Sequence, residues 1–262
     1  TVEGETRKVR RYEQFWEEFG RVLKEGVYHD IESRDRLAGL MRFHSSSSDG
    51  WHGLKDYVGR MPEDQKSIYY VAADSLATAK ASPHIEALKK RGFEVLLMTD
   101  TIDEWIVDAL REFDGKPFVS AAKGALDLPE SDEEKQAKEE KQKHFGPMLE
   151  RVQKVLDANV KTVRVTDRLT DSPACLVSDE HGMSARQERV LREAGHEVPN
   201  QKRILELNPD HAVVKKMEAL QDEAEFADWS SLLYDQALLA EGTLPADPAA
   251  FSKRVAALMA KA

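Results

Sequence analysis

Apolar residues follow a helical spacing in the first part of the chain. Between Tyr12 and Leu23 they recur every three or four residues, which predicts an amphipathic helix, and Gly26 is typical of its end. Asp30 is a typical N-cap for a second helix over 31–43. The serine run from Ser45, which ends in Asp-Gly, predicts a loop after that helix.

The spacing changes from Ser67 onward. Short apolar runs at 68–72, 93–98 and 117–121 predict strands, and the runs between them predict helices around 75–80, 83–91 and 102–113. Strands that alternate with helices indicate βαβ units with parallel strands. This part is therefore predicted to form a small α/β layer.

A highly charged segment divides the chain. Residues 130–143 carry six acidic and four basic side chains and no apolar residue larger than Ala137, which predicts a solvated linker or an exposed helix start. We place a boundary between domains 1–128 and 129–262 here. The second domain is predicted to contain a helix through 156, strands near 160–166, 174–178 and 203–207, helices near 183–194 and 208–221, and final helices over 226–241 and 247–261. The predicted fold class is α/β (α+β).

Composition narrows the classes of function. The 262 residues carry a formal net charge of -10, which argues against non-specific binding to nucleic acid or an anionic membrane. The single cysteine, Cys175, excludes an intrachain disulfide and fits a reducing compartment. No apolar run reaches the ~18–20 residues of a membrane span, and the first ten residues lack the apolar core of a signal peptide. We expect a soluble, cytoplasmic protein.

Known catalytic motifs are missing from the sequence. It contains no GxxxxGK[ST] loop, no GxGxxG turn, no HExxH pair and no GxSxG elbow. Cys175 lies in an apolar run and is interpreted as a core residue rather than a nucleophile. Asp100 and Asp103, at a strand-to-helix turn, fit a helix N-cap and a first-turn acid as well as acid–base chemistry. The sequence therefore predicts no catalytic, cofactor-binding or metal-binding residue.

An ordered set of segments resembles the ninety-kilodalton heat-shock chaperone family, in its bacterial branch. The segments are Leu23-Lys-Glu-Gly-Val, Leu40-Met-Arg-Phe-His-Ser, Asp56-Tyr-Val-Gly-Arg-Met-Pro, Ile68-Tyr-Tyr, Phe93-Glu-Val-Leu-Leu-Met-Thr-Asp, Ile102-Asp-Glu-Trp, Phe113-Asp-Gly-Lys-Pro-Phe, Glu206-Leu-Asn-Pro-Asp-His and Leu232-Leu-Tyr-Asp-Gln-Ala-Leu-Leu-Ala-Glu-Gly. The resemblance runs over nearly the whole chain from Tyr12.

The resemblance implies a stress-response chaperone that assists protein folding. Residues 12–60 would be a helical coil and 65–125 a small α/β/α unit, both late in the family's middle domain, and 129–262 the C-terminal dimerisation domain. No counterpart of the N-terminal ATPase domain is recognised. We therefore expect this chain not to be an enzyme and to hold no cofactor, although the full-length family uses ATP and Mg. Co-chaperones are further partners that the family implies.

The last two predicted helices carry apolar stripes that suggest a homodimer. Two such helices cannot cover their own apolar faces, whereas pairing with a second copy would form a four-helix bundle, as the resemblance also implies. The alternative is a core within the chain. The predicted interface residues are Trp229, Leu232, Leu233, Leu238, Leu239, Phe251, Val255, Leu258 and Met259.

Two amphipathic helices are candidate contacts for partly folded client proteins. Trp105 lies beside the predicted core stripe of its helix, next to Glu104 and Asp108. Met183, Val190 and Leu191 lie on a helix that is otherwise rich in charged side chains. The resemblance points to the same two helices. Two other hypotheses stay open: a purely structural dimerisation module, and an enzyme with an unrecognised site in the α/β layer.

Overall fold

The chain folds into two compact units. The computed structural model describes residues 2–199 and 201–260, with side chains from residue 11 onward, so the side chains of the polar first ten residues lie outside the described part. One unit comprises Thr1–Lys80 and Arg91–Ser120, and the other comprises Ala81–Lys90 and Ala121–Ala262. The predicted boundary at 128 remains a prediction from the sequence.

The first unit combines helices with a six-stranded sheet. Its elements in chain order are α1 (Val2–His29), α2 (Arg34–Ala38), β1 (Arg42–Ser45), β2 (His52–Gly53), α3 (Leu54–Arg60), β3 (Ile68–Ala72) and α4 (Leu76–Lys80). A 3-10 turn (Pro83–Ile85) and α5 (Glu86–Lys90) then belong to the second unit. The first unit continues with β4 (Val95–Met98), α6 (Asp103–Leu110), β5 (Glu112–Phe113) and β6 (Lys116–Ser120).

The centre of this sheet is parallel, as the alternation of strands and helices predicts. The strand order is β2-β1-β4-β3-β6-β5, and β3 pairs in parallel with both β4 and β6. The outer strands are antiparallel: β1 pairs with β4 and β2, and β5 pairs with β6. Strand β1 begins inside the stretch that the sequence predicts as helix 31–43. Its structure depends on pairing with β4, about fifty residues away, and local spacing does not report such pairing.

The second unit surrounds a three-stranded sheet. Its later elements are α7 (Asp132–His144), α8 (Gly146–Val155), β7 (Val160–Val165), β8 (Ala174–Val177), α9 (Ala185–Glu193), β9 (Arg203–Leu207), α10 (Ala212–Glu218), α11 (Glu223–Ala240) and α12 (Pro248–Met259). The strand order is β7-β9-β8, with β7 parallel and β8 antiparallel to β9. Apolar residues of α8, α10, α11 and the three strands form its core.

The charged segment that the sequence predicts as a linker or helix start is the helix α7. It begins with a capping box, in which Ser131 and Glu134 each bond the other's backbone N–H. None of its residues is buried. The part of the chain that the structure describes thus has twelve α-helices and two mixed sheets, a mixed α/β fold.

Candidate functional site

Helix α6 buries one face and leaves Trp105 partly exposed. Ile106, Val107 and Leu110 are buried in the core of the first unit, and Asp108 faces solvent. Trp105 therefore lies at the margin of the helix, where the sequence places it. A partly exposed tryptophan offers a large apolar surface to a partner without unfolding of the helix.

Glu104 departs from its predicted position on the polar side. Its side chain is only 1% exposed, so it is not available to a partner on the surface. Burial raises the pKa of the Tyr70 phenol, and the carboxylates of Glu104 and Asp108 add to this rise. Helix α6 is therefore covered on a second side as well as on its apolar face. The spacing of apolar residues over its eight positions does not predict this second covered side. The predicted contact residues of α6 are reduced to Trp105 and Asp108.

The two aspartates at the start of α6 bind a buried lysine. Lys24 of α1 lies 2.6 Å from a carboxylate oxygen of both Asp100 and Asp103. Asp103, the first residue of α6, also accepts a hydrogen bond from the Asp100 backbone N–H at 2.9 Å. The N-cap position is Ile102 rather than Asp100. Burial raises the pKa of Asp103, whereas Lys24 lowers it. The arrangement ties α1 to α6, and the amphipathic spacing of α1 does not predict Lys24 as its partner.

Helix α9 packs with its polar side and leaves apolar side chains partly exposed. Arg186, Gln187 and Glu188 are buried in the second unit. Val190 and Leu191 are only partly buried. Met183 is also partly buried, but it precedes the N-cap Ser184 and lies outside the helix on which the sequence predicts it. Helix α9 thus buries polar side chains of its first turn, whereas an ordinary surface helix buries an apolar stripe.

The buried polar side chains of α9 have specific partners. Gln187 accepts a hydrogen bond from Lys123 at 3.0 Å and from the Ser184 backbone N–H at 2.9 Å. Ser184 in return caps the helix by accepting from the Gln187 N–H. Glu188 bonds Arg192 one turn later at 3.0 Å. The bond from Lys123 holds Gln187 inward, whereas the Glu188–Arg192 pair lies within the helix itself.

The C-terminal helices bury some of the predicted interface residues within the chain. Leu233 and Leu238 belong to the core of the second unit, with Trp229 packed partly against it, and Leu232 and Leu258 are also buried. In contrast, Leu239 is 40% and Met259 73% exposed, and Phe251 and Val255 are partly exposed. Fewer of the predicted interface residues are therefore exposed and available to a second copy than the sequence predicts.

A cavity of about 450 Å³ lies within the second unit, between α9 and the α11–α12 corner. Its wall carries four arginines, Arg189, Arg192, Arg203 and Arg254. Arg254 bonds Asp235 at 2.8 Å, and Arg203 pairs with Glu241. The Arg254–Asp235 pair connects α12 to α11. The Arg203–Glu241 pair connects the start of β9 to the residue that follows α11.

Cys175 lies in strand β8 and is completely buried, which agrees with its interpretation as a core residue. Burial raises the pKa of its thiol, and Glu206 adds to this effect. A thiol with a raised pKa is a poor nucleophile. Cys175 is thus a structural residue of the sheet.

Met259 of α12 is exposed, and Trp105 of α6 and Val190 and Leu191 of α9 are partly exposed. Apolar side chains that a chain leaves exposed are typical of a protein that binds other proteins. The chain matches the family described as Hsp90 protein over residues 2–262, and it therefore belongs to the Hsp90 family.

The similar relatives include bacterial proteins named "Chaperone protein HtpG". The protein of Chromobacterium violaceum is 51% identical over 254 residues, which is 95% of this chain and 40% of the relative. That of Bordetella pertussis is 51% identical over 97% of this chain and 41% of its own length, and that of Verminephrobacter eiseniae is 52% identical over 96% and 38%. The chain thus spans about 40% of the length of these relatives.

Family membership corrects two predictions from the sequence. We expected no enzymatic activity and no cofactor, because phosphate-binding motifs are missing and no counterpart of the family's N-terminal ATPase domain is recognised. The match over residues 2–262 assigns nearly the whole chain to a family of ATP-hydrolysing chaperones, for which a nucleotide with magnesium is the cofactor. The expectation of a non-enzymatic, cofactor-free chain is therefore wrong.

The described side chains contain no cluster of metal ligands that would mark a site for a magnesium nucleotide. Between residues 11–199 and 201–260, no group of three or more His, Cys, Asp or Glu could hold a metal ion. In the arginine-lined cavity, Arg192, Arg203 and Arg254 already bond carboxylates and would have to release them to bind phosphate. No described residue is therefore assigned to nucleotide binding.

No described helix is long and apolar enough to cross a membrane.

Proposed function

We propose that this chain holds partly folded client proteins and pairs with a second copy of itself. Its relatives are chaperones of the Hsp90 family, which supports a chaperone role. A chaperone of this kind requires apolar surface that is exposed in the folded state and does not serve the chain's own core.

Helix α9 is the observation that carries the proposal. It buries Arg186, Gln187 and Glu188 and keeps Val190 and Leu191 partly exposed. Met183, which precedes the N-cap Ser184, is also partly exposed. Burying polar groups in preference to apolar ones is unfavourable unless each polar group is bonded. The bonds from Lys123 and Arg192 offset that cost. An inverted helix of this kind presents a surface that suits irregular apolar segments, and methionine adapts to varied shapes.

Trp105 of α6 is the second contact that we propose. Tryptophan is enriched among the residues that dominate binding energies at protein interfaces. Its partly exposed ring lies next to the exposed Asp108, which gives the surface one apolar and one charged part.

The test is suppression of aggregation of a destabilised protein. We expect Trp105→Ala and Met183→Ser/Leu191→Ser each to weaken client binding about tenfold, because losing an interface anchor costs at least ~1–2 kcal/mol. Val155→Ser, on the exposed side of α8, is the matched control and should hold the client like the wild-type chain.

Circular dichroism and light scattering should first establish that every variant keeps its fold and its oligomeric state. Variants that hold the client as well as the wild-type chain would refute the proposed surfaces. A wild-type chain that forms dimers but does not suppress aggregation would favour the alternative, a purely structural dimerisation module.

A further inference from the structure

Helix α9 is covered at its first turn and uncovered at the next. Gln187, in the first turn, is 4% exposed. Val190 and Leu191 follow it by three and four residues, so they lie on the same side of the helix. Both are nevertheless partly exposed. The side of α9 that is buried at Gln187 therefore loses its cover one turn later, where its residues are apolar.

Two hydrogen bonds meet at one oxygen atom in the first turn of α9. The side-chain Oε1 of Gln187 accepts from the Ser184 backbone N–H at 2.9 Å, which completes the capping box of the helix. The same Oε1 accepts from the ammonium group of Lys123 at 3.0 Å. The first bond joins the helix to its own N-cap, whereas the second joins it to a residue 64 positions earlier in the chain. Lys123 thus ties the start of α9 to the rest of the second unit.

The backbone around Lys123 is itself held in place. Lys123 forms a parallel bridge with Ser178, which directly follows β8. The Gly124 N–H donates to the Ser178 carbonyl at 2.9 Å, and the Ser178 N–H donates to the Ala122 carbonyl at 3.1 Å. The buried Arg168 donates to the Gly124 carbonyl at 2.6 Å. The ammonium group therefore reaches α9 from a backbone that is bonded on both sides of Lys123.

This backbone also passes close to the segment that leads into α9. Gly124 has a φ of +56°, and a Cβ at this position would lie 3.1 Å from the Cβ of Glu180. A side chain there would be strained by both the conformation and the close approach. The residue after Lys123 and the chain that enters α9 are thus in contact before the N-cap Ser184 is reached.

The bond from Lys123 has a larger effect than an ordinary surface contact. A hydrogen bond from an ammonium group is stronger than one between neutral groups. Gln187 is buried, so water does not replace the donor when the lysine is removed. Since the next turn of the helix is less covered, we expect loss of this bond to free α9 rather than the sheet below it.

We propose that Lys123 is the positioning residue of the α9 client surface. Its bond to Gln187 holds the first turn, so that Val190 and Leu191 are presented uncovered from a fixed base. The proposal rests on the proposed client-holding function and adds how its contact surface is held. A surface that is held in advance loses less conformational entropy on binding, which favours client affinity.

The experiment measures hydrogen exchange in the full chain and compares the amides of α9 with those of β9. Strand β9 is the central strand of its sheet, so its protection reports the stability of the whole unit. We expect Lys123→Met to lower the protection of α9 about tenfold, because it removes a bond from a charged donor, and to leave β9 unchanged. Lys123→Arg, which can donate the same bond, should restore the protection of α9.

A double variant tests whether Lys123 acts through Gln187. In a Gln187→Ala chain the acceptor is already missing, so the addition of Lys123→Met should lower the protection of α9 no further. The matched control is Lys66→Met in the first unit, which removes an ammonium group that bonds the Glu63 backbone carbonyl at 2.6 Å. It should leave α9 as protected as in the wild-type chain.

Unchanged protection of α9 in Lys123→Met would overturn the proposal. So would a further loss of the same size in the Gln187→Ala chain, since Lys123 would then act through another group. An equal loss in β9 would also overturn it, because the bond would then stabilise the unit in general. A Lys123→Arg chain that is no better than Lys123→Met would show that the donated bond is not the cause.

Suppression of client aggregation separates this proposal from the proposed function. It should decrease in Lys123→Met and return in Lys123→Arg. If Met183→Ser/Leu191→Ser loses suppression but Lys123→Met does not, the α9 surface stands and the positioning role is excluded. If neither variant changes suppression although Lys123→Met lowers the protection of α9, client holding at α9 fails, whereas the hold of Lys123 on the helix stands.

Discussion

At the scale of single residues, the second unit contains a buried group of charged side chains around His84. Glu206 binds Arg164 at 2.6 Å and Arg168 at 2.9 Å, and Arg168 also donates to the backbone carbonyls of Ala121 and Gly124. Each of these ions has a partner, so the group holds β7, β9 and the segment after β6 together. His84 differs, since neither ring nitrogen has a hydrogen-bond partner among the described residues.

His84 predicts a loss of stability in acid. Burial, together with Arg168 and Arg203, lowers its pKa from 6.5 to about 3, while Glu206 and Glu86 act in the opposite direction. The unfolded chain therefore takes up a proton below pH 6.5 that the folded chain excludes until about pH 3. We expect the free energy of unfolding to fall as pH decreases through this window, by on the order of 1.4 kcal/mol per pKa unit. Urea unfolding of wild type and His84→Leu should show that the variant loses this slope.

Glu241 makes the free energy of unfolding depend on pH in the opposite direction from His84, and it therefore provides an internal control. Its carboxylate lies 3.9 Å from His84, and burial raises its pKa to about 7 although Arg203 lowers it. The folded chain thus holds a proton between pH 4.5 and 7 that the unfolded chain releases, and this contribution to stability is lost as pH rises. In His84→Leu the remaining slope should therefore favour low pH, and Glu241→Gln should steepen the acid loss. Parallel pH profiles for the three chains would contradict both assignments.

At the scale of elements, two glycines in helices of the first unit make opposite predictions. A Cβ on Gly20 of α1 would lie 2.7 Å from the buried Trp16 ring, whereas a Cβ on Gly59 of α3 would meet nothing within 4 Å. We expect Gly59→Ala to stabilise the chain by about 0.5–1 kcal/mol through helix propensity. Gly20→Ala should destabilise it by ~1–3 kcal/mol, because the ring or the helix must move. Thermal unfolding measures both, and equal shifts would show that Trp16 does not restrict this position.

The elements that the sequence predicts well are those with a local signal. Strand β9 occupies the predicted residues 203–207, and α12 agrees with its predicted bounds within two residues, since an apolar run or an amphipathic repeat marks each. Strand β1 has no such mark, because its conformation depends on β4. In α7 a capping box produces a helix without any apolar face, so hydrophobic periodicity cannot reveal it.

The candidate site is predictable only in part for the same reason. Trp105 and the apolar residues of α9 stand out in the sequence as large side chains among charged ones. The burial of Glu104 and the inward polar face of α9 depend on neighbours that are distant along the chain, such as Lys123 for Gln187. His84 lies between a proline and an isoleucine and carries no local signal of its buried charged surroundings.

At the scale of the whole molecule, the apolar side chains that the C-terminal helices leave uncovered support the proposed pairing. Leu239, Leu244 and Met259 are 40%, 73% and 73% exposed. The α11–α12 corner that carries them is held by bonds from Arg254 to Asp235 and Asp228. A fixed corner of this kind pairs at little cost in conformational entropy, and symmetric pairing would cover the exposed side chains with their own equivalents.

Pairing predicts a particle of roughly twice 29.6 kDa by light scattering at micromolar concentration. Leu239→Asp/Met259→Asp should produce a folded monomer, because a buried charge without a partner costs several kcal/mol at the interface and nothing at an exposed position. Leu258→Asp is the poorer probe, since Leu258 is buried within the chain and its loss would unfold α12 as well. Leu40→Asp, at the same 40% exposure as Leu239 but in the first unit, is the matched control and should remain dimeric. A monomeric wild-type chain, or a double variant that stays dimeric, would exclude this face as the interface.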